Sequence, residues 1–333
     1  MTRERGPRGL RRRDRNALIA ASLTALSLAA SGCVVVHGER EVLPATTKAE
    51  AAKALKEFTA AYNAADKAFD RSLDAGHVTG ALADIDGARL KAGHTNSPAG
   101  NPGHAPLKLS DTRFTIPKKA GWPRWFVADT AANKGGSSRW LFVFTRGDLG
   151  EPFKVAYLTL VAPDDVPEFK LDADGWAEAV PAGSAGLTVP PAELSEKYTT
   201  YLKGGGSGFA DGAYTSGWRA ARAKEASRPG LVRQYIDKPM TGGEYAPLAL
   251  RTTDGGALVF FTTRHYEKQT AATGTAVPPQ NADVQALTKG EVKQSLTLEF
   301  VSNEAVLDPK RGSGSADVEV LGRVQGLTSA QGE

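Results

Sequence analysis

The chain has 333 residues, a formal net charge of +4, 23% charged residues and a single cysteine. One cysteine cannot close a disulfide within the chain or build a cysteine metal cluster, so stability must come from an ordinary apolar core, and the length suffices for two domains of typical size. The positive excess lies in the first 32 residues, which hold seven arginines against Glu4 and Asp14. The 34 basic and 35 acidic residues that follow nearly cancel, which argues against a nucleic-acid partner.

The chain opens with Arg3, Arg5, Arg8, Arg11, Arg12, Arg13 and Arg15, followed by an apolar stretch over residues 17–30. That stretch is too short to span a bilayer and has the length of the apolar part of a secretory signal. It ends in Leu28-Ala29-Ala30-Ser31-Gly32-Cys33. Small residues before a cysteine at this place resemble a bacterial lipobox, with Ala30 where leucine is usual. The resemblance implies a signal peptide over residues 1–32, cleavage between Gly32 and Cys33, and acylation of Cys33, for example by palmitate. The mature protein would then be lipid-anchored on the outer face of the cytoplasmic membrane, with two or more acyl chains giving stable attachment. The alternative is an ordinary secretory signal followed by an incidental cysteine. Arg12-Arg13 lacks the apolar residues that follow a twin-arginine pair. Residues 33–46 read as a short tether, reaching at most ~45 Å when extended.

The first helix is predicted over residues 48–75. Thr47-Lys48-Ala49-Glu50 fits a capping box, and Leu55, Phe58, Tyr62, Ala65, Phe69 and Leu73 form one apolar stripe. A second helix follows over 79–91, then a Gly- and Pro-rich loop over 94–106. Strands are predicted at 125–129, 139–146 and 153–161, with a turn at 133–138 between the first two. Residues 181–191, rich in Pro, Gly and Ala, read as a linker. After it the order recurs: helices at 192–203 and 218–227, then strands at 231–236, 248–252, 257–263, 295–301 and 318–324. Asp254-Gly255-Gly256 marks a hairpin turn, and residues 270–288 read as a long mobile loop.

The fold class expected is α+β, as two tandem units in which helices precede a curved antiparallel sheet. The domains are 47–181 and 192–326, joined by a linker at 182–191, with a disordered tail at 327–333. This order is similar to the nuclear-transport-factor-2-like cone, in which helices cover one face of a curved sheet. The lipobox, the opening helix around Tyr62-Asn63-Ala64-Ala65 and the Trp122-Pro123-Arg124-Trp125-Phe126 entry to the sheet resemble actinomycete lipoproteins of unknown function. That resemblance brings no activity with it.

No sequence motif names a reaction. There is no His-Glu-x-x-His and no Gly-x-Ser-x-Gly, and Gly204 to Gly208 lack the Lys-Ser/Thr of a phosphate-binding loop. No cofactor and no metal site is expected, and His94 and His104 read as solvated loop residues. Asp172-Ala173-Asp174-Gly175 resembles part of a calcium loop but lacks its closing ligands, and a β-turn fits better. The aromatic group is the remaining candidate. Trp122, Trp125 and Trp140 crowd one sheet with Arg124, and His265 occupies a similar place in the second half. They would line a pocket for a small ligand, or alternate members would simply fill the core. The functions weighed are a non-catalytic binding or assembly role at the cell envelope, a small-ligand-binding lipoprotein, and an envelope hydrolase. The partners are the membrane through Cys33 and another envelope protein or a small ligand.

Overall fold

The computed structural model describes residues 41–314 and 317–333. The expected signal peptide, Gly32–Cys33 cleavage and acylation of Cys33 fall outside these residues.

Helix α1 (Lys48–Ala68) begins as its sequence predicts: the Thr47 hydroxyl accepts from the Glu50 N–H at 3.1 Å. It stops seven residues short of expectation because Phe69 turns into the left-handed region at φ 52°. The reason is a tertiary contact. A Cβ on Gly93 would lie 2.4 Å from the Phe69 ring, so that glycine lets helix α2 (Gly80–Asn96) pass directly over it.

Four antiparallel strands follow in the order β1 (Leu109–Thr115), β2 (Arg124–Ala132), β3 (Arg139–Arg146) and β4 (Lys154–Val161). Strand β1 has no counterpart in the sequence reading. It is a polar edge strand, Leu-Ser-Asp-Thr-Arg-Phe-Thr, broken by a bulge where Asp111 has φ 45°, so it carries no apolar alternation to read.

The second half adds helices α3 (Leu194–Gly204) and α4 (Ser216–Glu225), then strands β5 (Leu231–Met240), β6 (Leu248–Arg251), β7 (Ala257–Ala271), β8 (Ser295–Asp308) and β9 (Glu319–Gly332). Strands β9, β8, β7 and β5 are neighbours in that order, and β6 continues the β5 edge of β7. The protein is thus α+β, and helices precede strands in each half. The short helix α5 (Ala282–Leu287) lies inside the region expected to be a mobile loop, capped by the Asn281 side chain.

The halves are not separate domains. Val42–Glu333 forms one compact unit. One face of the first sheet packs under α1 through Phe126, Phe142 and Phe144 against Phe58. Its other face, with Trp125, Val127, Leu141, Val143 and Tyr157, packs on Leu250, Leu258 and Phe260 of the second sheet. The reverse side of the second sheet carries Val259 and Phe261 against Leu194, Tyr198 and Leu202 of α3. Gly322 permits a close approach of the sheets, since a Cβ there would lie 2.4 Å from the Leu160 carbonyl oxygen.

Three expected boundaries are corrected accordingly. The 182–191 linker is packed: Leu187 is fully buried and the Thr188 N–H bonds the Pro309 carbonyl at 2.9 Å. The 327–333 tail is strand, with Leu327 paired to Phe300 and Gly332 to Leu296. The tether ends early, because Leu43–Pro44 pairs with Lys118 and Lys119 and both Ala45 and Thr46 are buried.

Candidate functional site

The residues proposed from sequence do not converge. Pleating sends alternate side chains of a strand to opposite faces. Trp125, 2% exposed, points into the interface between the sheets, while Trp140 joins the core under α1. Arg124 is buried and donates to the Leu43 carbonyl at 3.1 Å and to the Lys119 carbonyl, so it ties down the entering chain. His265, 3% exposed, stacks on Phe300 with ring centroids 4.7 Å apart, in the far half of the second sheet. Only Trp122 and Arg124 meet, with the guanidinium carbon 5.6 Å from the indole centre.

Trp122 does line a cleft, of about 410 Å³. Its walls come from residues distant in sequence: Trp122, Thr145, Glu151 and Lys154 at the ends of the first sheet, Tyr157 on β4, and Glu244 in the turn before β6. Arg146 stands 5.8 Å from the Trp122 ring centre and is held by Glu50 at 2.8 Å. The Tyr157 hydroxyl donates to the Ala246 carbonyl at 2.8 Å, and burial pushes its acidity well below that of a free phenol. The cleft therefore offers one indole, carboxylates from Glu151 and Glu244, and the Lys154 ammonium. This is the composition of a site for a small polar molecule with an apolar face.

Two buried polar clusters escaped the sequence reading. In the first, the Arg89 guanidinium bridges Asp66 at 2.6 Å and Asp86 at 2.7 Å, and His104 Nδ1 lies 2.7 Å from Asp66. His104 is therefore docked rather than solvated. Burial, followed by the neighbouring Asp86, pushes the Asp74 carboxyl up to about 8. The spacing of Asp86 and Arg89, three apart on one helix, was the signal available for this pair.

The second cluster surrounds Glu304, which has no exposed surface. Thr263 donates to Glu304 Oε1 at 2.7 Å, and Arg323 Nε stands 3.5 Å from the same oxygen. Burial outweighs that arginine and pushes the Glu304 carboxyl up to about 8. Arg323 also donates to Ser302 at 3.0 Å. Arg323 and Arg222 flank Trp218, with guanidinium carbons 4.5 and 5.1 Å from the ring centre. Burial, then Arg323 and Arg222, pushes the His265 imidazole down to about 2, so it is neutral. Asp237 holds Arg222 through two bonds of 2.7 and 2.9 Å. Sequence offers little signal here, since the cluster draws on β5, β7, β8, β9 and α4, which meet only in the folded chain.

Asp172 to Gly175 is a β-turn as expected, closed by the Gly175 N–H on the Asp172 carbonyl at 3.0 Å, with Lys118 bridging both carboxylates. Among the described residues, no three His, Cys, Asp or Glu side chains group so as to hold a metal ion.

Residues 42–332 match a family described as a domain of unknown function, DUF8094. The chain belongs to this family. An uncharacterized lipoprotein of Streptomyces coelicolor is 70% identical over 333 residues, covering the whole of both chains. Another, from Streptomyces avermitilis, is 62% identical over the same full length. A further uncharacterized lipoprotein of Streptomyces coelicolor is 26% identical over 238 residues, 67% of this chain and 64% of that one. No solved structure matches the chain, so the likeness to nuclear-transport-factor-2-like cones has no structural counterpart behind it. The extent of the DUF8094 match agrees closely with the compact unit from Val42, so the family is defined by the whole two-sheet body rather than by either half. No helix among the described residues is long and apolar enough to cross a membrane.

Proposed function

We propose that this DUF8094 protein is a non-catalytic binding protein of the cell envelope, anchored on the outer face of the cytoplasmic membrane through acylated Cys33, with its ligand in the Trp122 cleft. The anchor is supported by the lipobox-like run ending at Cys33 and by relatives named as lipoproteins over the full length of the chain. The observation that carries the binding role is the cleft itself. It joins an indole face to carboxylate and ammonium groups, and both halves of the fold contribute to its walls. The most strongly perturbed histidine, His265, sits instead in a packed cluster, where it is 3% exposed.

Native mass measurement of the full-length protein, extracted gently from its own membrane, tests both parts. The expected result is the mass of residues 33–333 plus acyl chains and a small retained molecule. The retained molecule should disappear in Trp122→Ala, and the acyl mass in Cys33→Ala. A retained molecule unaffected by Trp122→Ala would remove the cleft from the function, and an unacylated mature chain would remove the anchor.

A further inference from the structure

Three charged side chains line the Trp122 cleft, and they do not satisfy one another. Lys154 begins β4, Glu151 stands in the turn before it, and Glu244 lies in the turn before β6. Among the described residues the Lys154 ammonium makes no ion pair, and neither carboxylate has a basic partner. The backbone explains why they stay apart. Glu151 Oε2 accepts the Gly147 N–H at 3.2 Å, and Glu244 Oε2 accepts the Gly80 N–H at 3.4 Å. Gly80, at φ 52°, lets the Glu244 turn settle on the start of α2: a Cβ there would lie 2.6 Å from the Glu244 carbonyl oxygen. Each carboxylate gives one oxygen to the backbone and keeps the other.

Two threonines stand beside these charges. Thr79 is 9% exposed, lines the cleft and occupies the N-cap position of α2, yet its side chain does not cap the helix. Its hydroxyl has no hydrogen-bond partner among the described residues. A hydroxyl this enclosed is normally paired. Pairing of Val78 with Val155 sets Thr79 against β4, with the Thr79 N–H donating to the Val155 carbonyl at 2.9 Å and the Val155 N–H to the His77 carbonyl at 2.8 Å. Lys154 and Thr79 each flank that pair, so pleating sends both to the cleft face, where Thr145 is the cross-strand partner of Lys154. The wall is thus short of a hydrogen-bond partner where charges of both signs are left open.

From this arrangement we infer that the ligand of the Trp122 cleft is a zwitterion, a free amino acid with an apolar side chain. The inference rests on the proposal that this cleft is the binding site, and it names the class of ligand. The ligand carboxylate accepts from the Lys154 ammonium beside Thr145. The ligand ammonium donates to the free carboxylate oxygens of Glu244 and Glu151, and the Thr79 hydroxyl, which can donate or accept, fills its own vacancy on the bound molecule. The apolar side chain covers the Trp122 indole and Leu248. A neutral sugar would leave the Lys154 ammonium without a counter-charge. A simple anion would set its charge beside two carboxylates. A molecule carrying both signs meets each charge of the wall with its opposite, so no charge is enclosed unpaired. The cleft volume of about 410 Å³ accommodates a molecule of this size.

Calorimetric titration of the full-length protein, dialysed in detergent, with phenylalanine and leucine, each in both hands, is the direct test. Saturable binding of at least one is expected. Its amide, which lacks the carboxylate, and its N-acetyl derivative, which lacks the ammonium, should each bind at least ~10-fold more weakly. Lys154→Gln should abolish the preference for the acid over the amide, and Glu244→Gln combined with Glu151→Gln the preference over the N-acetyl derivative. These substitutions keep an acceptor for the Gly80 and Gly147 N–H groups, and a merely structural role would not move one preference without the other. No saturable binding of any of the four overturns the inference, as do preferences that persist in the folded variants. If a molecule retained in the native mass is nonetheless lost in Trp122→Ala, the cleft stands as the binding site and the zwitterion alone falls.

Discussion

The two sheets solve burial in opposite ways. The first sheet fills most of both faces with apolar side chains, including a stacked pair, Phe126 and Phe144, with centroids 4.7 Å apart, and the ions it buries, Arg124 and the Arg139–Asp129 pair, sit toward the strand ends. The second sheet does the same only where it meets the first. Its far half buries Glu304, His265 and Asn303 and covers the side chain of Arg323. An apolar core is held by the removal of hydrocarbon from water, which does not respond to pH. A core with ionisable groups whose pKa values differ between folded and unfolded chains makes stability a function of pH. The same fold should thus show a pH-indifferent region and a pH-sensitive one.

The largest expected effect breaks the apolar side. Phe142 is fully buried, with Phe58 at 5.3 Å and Trp140 at 5.9 Å between ring centroids. Phe142→Ala should cost ~3–5 kcal/mol in denaturant unfolding, by the same amount at pH 5 and pH 8. A pH-dependent loss would mean that the two regions are not distinct.

The next two predictions address the polar side. The Glu304 carboxyl is raised to about 8 in the folded protein, so the stability it contributes is fully present below its unfolded value and is lost as pH rises through 8. Asp74, about 8, and Asp308, about 7, act in the same direction. Glu304→Gln cannot ionise. The stability difference, variant minus wild type, should therefore grow by on the order of 2–4 kcal/mol between pH 5 and pH 8. A difference that stays constant across that range would sink the assignment of Glu304 as a buried neutral acid.

His265 works the other way. Its folded value is depressed to about 2, so its contribution is present above the unfolded value near 6.5 and is lost as pH falls. His265→Phe, which preserves the stack on Phe300, should lose ~2 kcal/mol less than wild type between pH 7 and pH 5. If wild type and variant lose stability in parallel on acidification, His265 is protonated in the fold and the description of its environment fails.

The smallest effect lies outside both sheets. Thr47→Ala removes the N-cap of α1 and should cost ~1 kcal/mol, independent of pH. A loss of several kcal/mol would show instead that α1 acts as a keystone for the first sheet.

Much of the element list was readable from local pattern. The Thr47-Lys48-Ala49-Glu50 start, the 133–138 turn and the Asp254-Gly255-Gly256 hairpin are set by backbone chemistry within a few residues, and β3 has the bounds its sequence predicts. Strand β1 was hidden because an edge strand with a bulge and polar side chains has no period to detect. The end of α1 was hidden because it depends on a ring packing over Gly93, a contact across more than twenty residues. Of the proposed site residues, Trp122 lines a cleft, whereas Trp125, Trp140 and His265 are packing residues and Arg124 is a tie for the chain. An aromatic-rich strand looks the same in sequence whether its rings face a ligand or a core.

The sequence by itself determined the α+β class, the order of helices before strands in each half, and the signal-like segment ending at Cys33, because each depends on composition or short-range periodicity. The tertiary structure alone decided that the halves make one body. The runs Trp125-Phe126-Val127-Ala128 and Leu141-Phe142-Val143-Phe144 are apolar on both faces, which requires a layer on each side. Which layer fills the second face depends on pairing across more than a hundred residues. The Trp122 cleft arises from that same pairing, since its walls join Thr145, Lys154 and Tyr157 of the first sheet to Glu244 and Leu248 of the second half.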